Sequence, residues 1–111
     1  MAATRLLAQM TVADFEAGVR WYTKLFGGSV DARPMEGLAE WHLAPAFGVQ
    51  VWADAERAGR STMVIDESDL DGLADRLRRA GIDHAGIQNA TTSRVLVVTD
   101  PDGNSIVFTG R

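Results

Sequence analysis

The chain has 111 residues, 46% apolar and 23% charged, which fits one folded domain and excludes a disordered chain. Its net charge of −4 argues against a sequence-independent grip on nucleic acid, and no apolar run approaches the roughly 20 residues of a membrane span. The absence of cysteine excludes disulfides, thiolate zinc sites, iron–sulfur clusters and cysteine nucleophiles. With two histidines, a metal site would need carboxylates, amides or a second chain. The start MAATRLLAQM lacks the apolar stretch of a secretory signal, so the cytoplasm is the expected compartment.

Residues 5–12 read as a first strand. A helix is expected over 14–26. Asp14 can cap it by accepting the free N–H groups of the first turn, and Glu16 suits the positive end of its dipole. Phe15, Val19, Tyr22 and Phe26 recur at helical spacing, with Trp21 and Leu25 widening the apolar face. Gly27 and Gly28 then stop it. Three short strands follow, over 29–33, 38–43 and 47–53. After the link ADAERAGR at 53–60, a strand is expected over 62–66. A second helix spans 69–80, capped by Asp69, with Leu70, Leu73 and Leu77 as its stripe and Gly81 at its end. Arg76, Arg78 and Arg79 lie largely off that stripe and read as a solvated face. Strands over 83–87, 94–99 and 105–109 complete the chain. Asp100, Asp102 and Asn104 read as turn chemistry around Pro101, where Gly103 and Asn104 can take positive φ. An EF-hand-like loop would need further oxygen ligands and a closing Glu.

The order strand, helix, three strands occurs twice. The two capping aspartates, Asp14 and Asp69, stand 55 residues apart. This reads as an internal duplication of a βαβββ unit. Neither half alone covers both faces of its sheet, so the halves are expected to pack as one domain.

Three stretches carry a family resemblance: VADFEAGVRWYTKLFG at 12–27, DLDGLADRLRRAGI at 69–82 and DPDGNSIVF at 100–108. In this order, within a duplicated unit, the chain resembles the vicinal oxygen chelate superfamily, which holds glyoxalase I, bleomycin-resistance proteins and extradiol dioxygenases. The resemblance implies an α+β fold. Its two tandem modules, residues 1–54 and 60–111 of a single domain, would form a curled mixed sheet with a concave cleft and helices on the outer face. Metal-dependent members of the family set four side chains in that cleft, and the metal acts as a Lewis acid on two neighbouring substrate oxygens. The resemblance places the first ligand of each module seven residues before the helix cap, at Leu7 and Thr62. The last ligands fall at Gln50 and Val107. Only Gln50 is a plausible metal ligand, and Thr62 is a poor one. Shifting the alignment by one residue restores no site. No metal cofactor is therefore expected, with a divalent metal as the alternative.

Alternation along the strands names what fills the cleft instead. Leu7, Gln9 and Thr11 share its face in the first strand, and Gln50 and Trp52 in the fourth. Ser105, Val107 and Thr109 share it in the last. Leu7, Gln9, Gln50, Trp52, Thr62 and Val107 are thus the candidate ligand-binding residues. Ala39, Trp41 and Leu43 suit the helix side, which leaves Glu40 and His42 on the cleft face, about 7 Å apart along one strand. A carboxylate beside a histidine can prepare the ring as a general base, so Glu40 and His42 are the candidate catalytic residues. The plainer reading has His42 bonding a neighbouring strand and Glu40 meeting solvent. His84 reads as an exposed loop residue, and Trp21 and Trp41 as core. No serine sits in a nucleophile elbow.

Three functions are compatible with these residues. The first is a metal-free protein that holds an aromatic or drug-like molecule, as bleomycin-resistance relatives sequester antibiotics. The second is a lyase, isomerase or dioxygenase acting on a small oxygenated substrate, with Glu40 and His42 or a partner chain supplying the chemistry. The third is a non-catalytic subunit whose cleft is filled by side chains. A homodimer is expected under all three, given the small size and the open strand edges.

Overall fold

The computed structural model describes residues 1–111. Strand β1 (Leu6–Val12) leads into helix α1 (Phe15–Phe26) and then into β2 (Ala32–Met35), β3 (Leu38–Ala44) and β4 (Phe47–Ala53). The order repeats as β5 (Thr62–Asp66), α2 (Leu70–Arg79), β6 (Gln88–Asn89), β7 (Arg94–Thr99) and β8 (Ser105–Gly110). Each half forms its own four-stranded mixed sheet, ordered β1-β4-β3-β2 and β5-β8-β7-β6. The fold is thus α+β, with the tandem modules keeping separate sheets. No helix is long and apolar enough to cross a membrane.

The caps form as the residues dictate. Asp14 accepts the Ala17 N–H and Asp69 the Gly72 N–H, each at 3.1 Å. Gly27 closes α1 at φ 72°. Two strands differ from expectation. The second strand begins at Ala32, three residues late, and carries Pro34 on the sheet edge, where a missing N–H is tolerated. The strand expected over 83–87 does not form, and pairing is confined to Gln88–Asn89. His84 lies in this loop, as expected, but is partly buried rather than exposed. Its Nε2 meets the Ala74 carbonyl at 3.0 Å and its Nδ1 accepts the Gly86 N–H at 3.0 Å. The segment is tied to α2 rather than to a sheet.

One cluster of buried side chains draws on both halves, joining Met10, Val12, Tyr22, Trp41 and Val51 to Leu70, Leu77, Leu96, Ile106 and Phe108. Polar ties cross the same boundary. Arg76 donates to the Lys24 and Leu25 carbonyls at 3.1 and 2.6 Å, so it caps α1 from α2 rather than facing solvent. The buried Tyr22 hydroxyl donates to Asp100 at 2.7 Å. Asp100 also accepts the N–H groups of Asp102, Gly103 and Asn104, as turn chemistry requires. Gly103 adopts φ 105°, whereas Asn104 keeps a negative φ. The Asn104 amide donates to the Thr11 carbonyl at 2.7 Å, and the Asp102 carboxylate accepts the Ala13 N–H. The last turn of the chain therefore closes over the end of its first strand.

Candidate functional site

The sheet faces turned away from the helices carry the candidate residues. Alternation sends Met10, Val12, Ala39, Trp41, Val49 and Val51 into the core. It leaves Leu7, Gln9, Glu40, Gln50 and Trp52 on the opposite face. Parallel pairing sets Gln9 opposite Gln50, and antiparallel pairing sets Gln50 opposite Glu40. Trp52 lies between Thr11 and Leu38 in the next row and is half-buried. Leu7 faces Gly48, one step diagonal to Gln50.

A β-bulge creates the row. Trp41 pairs with Val49 and Ala44 with Phe47, so His42 and Leu43 together oppose the single residue Gly48. Without the extra residue, Glu40 would pair with Val51, and the cleft and core residues would be mismatched across the two strands. Gly48 makes the bulge possible, because a Cβ there would lie 2.4 Å from the Trp41 carbonyl oxygen. Leu43 stays on the helix side, near Leu25 and Phe26, but remains partly exposed there.

Along the row, Gln9 Nε2 donates to Gln50 Oε1 at 3.1 Å, and Gln50 Nε2 donates to Glu40 Oε2 at 2.6 Å. From the other side, His42 Nε2 meets Glu40 Oε1 at 2.9 Å. The Glu40 side chain is 8% exposed and that of His42 37%. Glu40 is largely withdrawn from solvent, and the His42 ring bonds its own strand's carboxylate, so the plainer reading of this pair does not hold. The bond from His42, then that from Gln50, holds the Glu40 carboxyl below its usual range, against the opposing pull of burial. Asp31 buttresses the pair: it accepts the His42 N–H at 2.7 Å, and its own N–H donates to the Glu40 carbonyl at 2.8 Å. Sequence reading missed Asp31, which fell inside the strand expected over 29–33. It also missed the bulge, whose signal is a glycine inside an otherwise apolar strand.

The second half differs at the equivalent row. Val107 stands between Val64 and Val97, and the latter two are exposed apolar side chains. Thr62 faces Ser105 in a neighbouring row and is exposed. The bulge has no counterpart, since β7 and β8 pair in unbroken register from Arg94 to Thr99.

The residues at the family's ligand positions do not fit a metal. Leu7 and Val107 are hydrocarbon, Thr62 is a neutral hydroxyl, and the Gln50 amide is committed at both ends to Gln9 and Glu40. Two of the surface concavities lie elsewhere. One, of about 690 Å³, is polar and lies between Asp66, Thr92, Ser93, Thr109 and Arg111. The other, of about 230 Å³, is mainly apolar and lies between the modules, beside Phe26, Phe47, Ile65 and Arg76. Neither is lined by the Glu40 row or Trp52.

The fold and this site can be set beside known proteins. A glyoxalase/bleomycin resistance protein from Catenulispora acidiphila DSM 44928 is 29% identical, with a TM-score of 0.89 over 96% of this chain and 97% of that one. TnmS3, an antibiotic-binding protein from Streptomyces sp. CB03234, is 23% identical, with a TM-score of 0.81 over 99% and 98%. A bleomycin-binding protein complexed with bleomycin is 16% identical, with a TM-score of 0.76 over 96% and 98%. No curated protein matches. The sequence profile of one family matches residues 5–108, nearly the whole length of both modules. The chain belongs to the Glyoxalase/Bleomycin resistance protein/Dioxygenase superfamily.

Proposed function

We propose that this protein binds a small aromatic or drug-like molecule on the open sheet face of its first module, without a catalytic metal. The observation that carries this reading is the half-buried Trp52 one row from the ordered polar row of Gln9, Gln50 and Glu40. An indole offers stacking area, and a few fixed polar groups give orientation, which is the chemistry of a small-molecule site. The antibiotic-binding TnmS3 and the bleomycin complex, which share the fold, support the same ligand class. A second copy of the chain is the proposed cover for the open faces, since Val64 and Val97 lie exposed on the second sheet.

A second reading rests on the 2.9 Å contact between Glu40 and His42. A proton held on Nε2 by the carboxylate leaves Nδ1 as a base, as a lyase or isomerase would require. Thermal-shift titration of chelator-treated protein decides among these readings. Antibiotic-like aromatic ligands should raise the midpoint by mass action, while Zn²⁺, Ni²⁺, Mn²⁺, Co²⁺ and Fe²⁺ leave it unchanged. A saturable metal shift abolished by Gln50→Ala or His42→Ala would overturn the metal-free reading. Turnover of an oxygenated substrate, lost in His42→Ala with binding retained, would favour the enzyme.

A further inference from the structure

The hydrogen bonds of the polar row have a direction. Gln9 donates to Gln50, Gln50 donates to Glu40, and His42 donates to Glu40 from the other side. Every N–H along the row points toward one carboxylate. When the His42 ring is neutral and its Nε2 proton bonds Glu40, its Nδ1 offers an acceptor lone pair. Neither that atom nor Gln9 Oε1 has a partner within the chain. Both ends of the row therefore present acceptors, and the centre carries a negative charge with two of its roughly four lone-pair positions filled.

The surroundings add no firm cation. His42 is the only side chain within ion-pair distance of Glu40. Arg5 acts on the carboxylate only through its field, and Asp31 adds a second negative charge beside His42. On the equivalent row of the second half, Val64, Val107 and Val97 stand where Gln9, Gln50 and Glu40 stand in the first. The Glu40 row lies about 7 Å along β4 from Trp52.

We infer that the Glu40 row reads a hydrogen-bond donor on the ligand, and that the preferred ligand is an aromatic ring system bearing a protonated amine. The ring stacks on Trp52 while the ammonium group reaches Glu40 and the acceptor nitrogen of His42. A carboxylate or phosphate substituent at the same place meets acceptors and like charge, and is rejected. This inference rests on the proposed ligand-binding reading and narrows it to a chemical class.

The test is a titration of the intact protein with naphthylmethylamine, naphthylmethanol and naphthylacetate, which share one ring and differ in the substituent. Binding is followed through the indole N–H resonance of Trp52, assigned with Trp52→Phe. The amine should bind about tenfold more tightly than the alcohol, with the acetate weakest, and Glu40→Gln should bring amine and alcohol to equal affinity. Equal binding of amine and alcohol to the unaltered protein overturns the inference and leaves aromatic binding standing. An amine preference that persists in folded Glu40→Gln overturns it as well. If none of the probes moves the Trp52 resonance, the binding reading falls with it. The ranking on the unaltered protein decides the matter even if the variant does not fold.

Discussion

Glu40 and Tyr22 show how one neighbour sets the state of one side chain. Glu40 is held below its ordinary value of 4.5 by the donors His42 and Gln50. Its contribution to stability is complete above that value and is lost as pH falls through the folded-state value. The thermal midpoint should therefore drop on acidification below about pH 4.5, and Glu40→Gln should flatten that part of the curve. Tyr22 is shifted the other way, far above 10.0, first by burial and then by the Asp100 charge. The folded state keeps this proton while the unfolded chain loses it, so stability should fall as pH rises past about 10. Tyr22 is the one tyrosine in the chain, and tyrosinate absorbance should accordingly appear only with unfolding. Tyr22→Phe should remove the alkaline slope and cost about 1–2 kcal/mol near neutrality, measured by urea denaturation. Alternation alone put Gln9, Glu40, His42 and Gln50 on one face. It did not show that Gln50 and His42 converge on Glu40, because that depends on cross-strand register.

Register belongs to the elements, and there the legible and the hidden separate cleanly. The helices were legible because Asp14, Asp69, Gly27 and Gly81 are chemical stop and start signals. The strand over 47–53 was legible from its bounding residues. The β2 boundary was obscured by the short, proline-bearing edge, and β6 by a histidine whose partners lie on α2. The bulge at His42 and Leu43 was invisible to period-two reasoning, which assumes one partner per residue. Gly48→Ala should destabilise the protein by about 1–3 kcal/mol, because its Cβ would collide with backbone rather than with a yielding side chain. Urea denaturation gives the cost, and the Trp52 resonance shows whether the row is displaced. Arg76→Ala should cost about 1–3 kcal/mol by leaving the Lys24 and Leu25 carbonyls without their charged donor.

At the scale of the whole molecule, duplication has produced two halves with one topology and different faces. One face is bulged and polar around Glu40; the other is regular and apolar around Val107. A dimer that covers these faces should elute with twice the 12.0 kDa chain mass in size-exclusion chromatography with light scattering. The double substitution Val64→Lys and Val97→Lys should return it to the single mass with the circular-dichroism spectrum preserved, since both side chains are exposed within one chain. The tie between the final turn and β1 bears on how the chain is made. A ribosome delivers Thr11 and Tyr22 long before Asp100 and Asn104, the residues that receive the hydroxyl and supply the amide. The first module must therefore wait, incompletely bonded, until synthesis is nearly over. Residues 1–54 produced alone should lack a cooperative melting transition, and a stop codon just before Asp100 should do more harm than its distance from Glu40 implies.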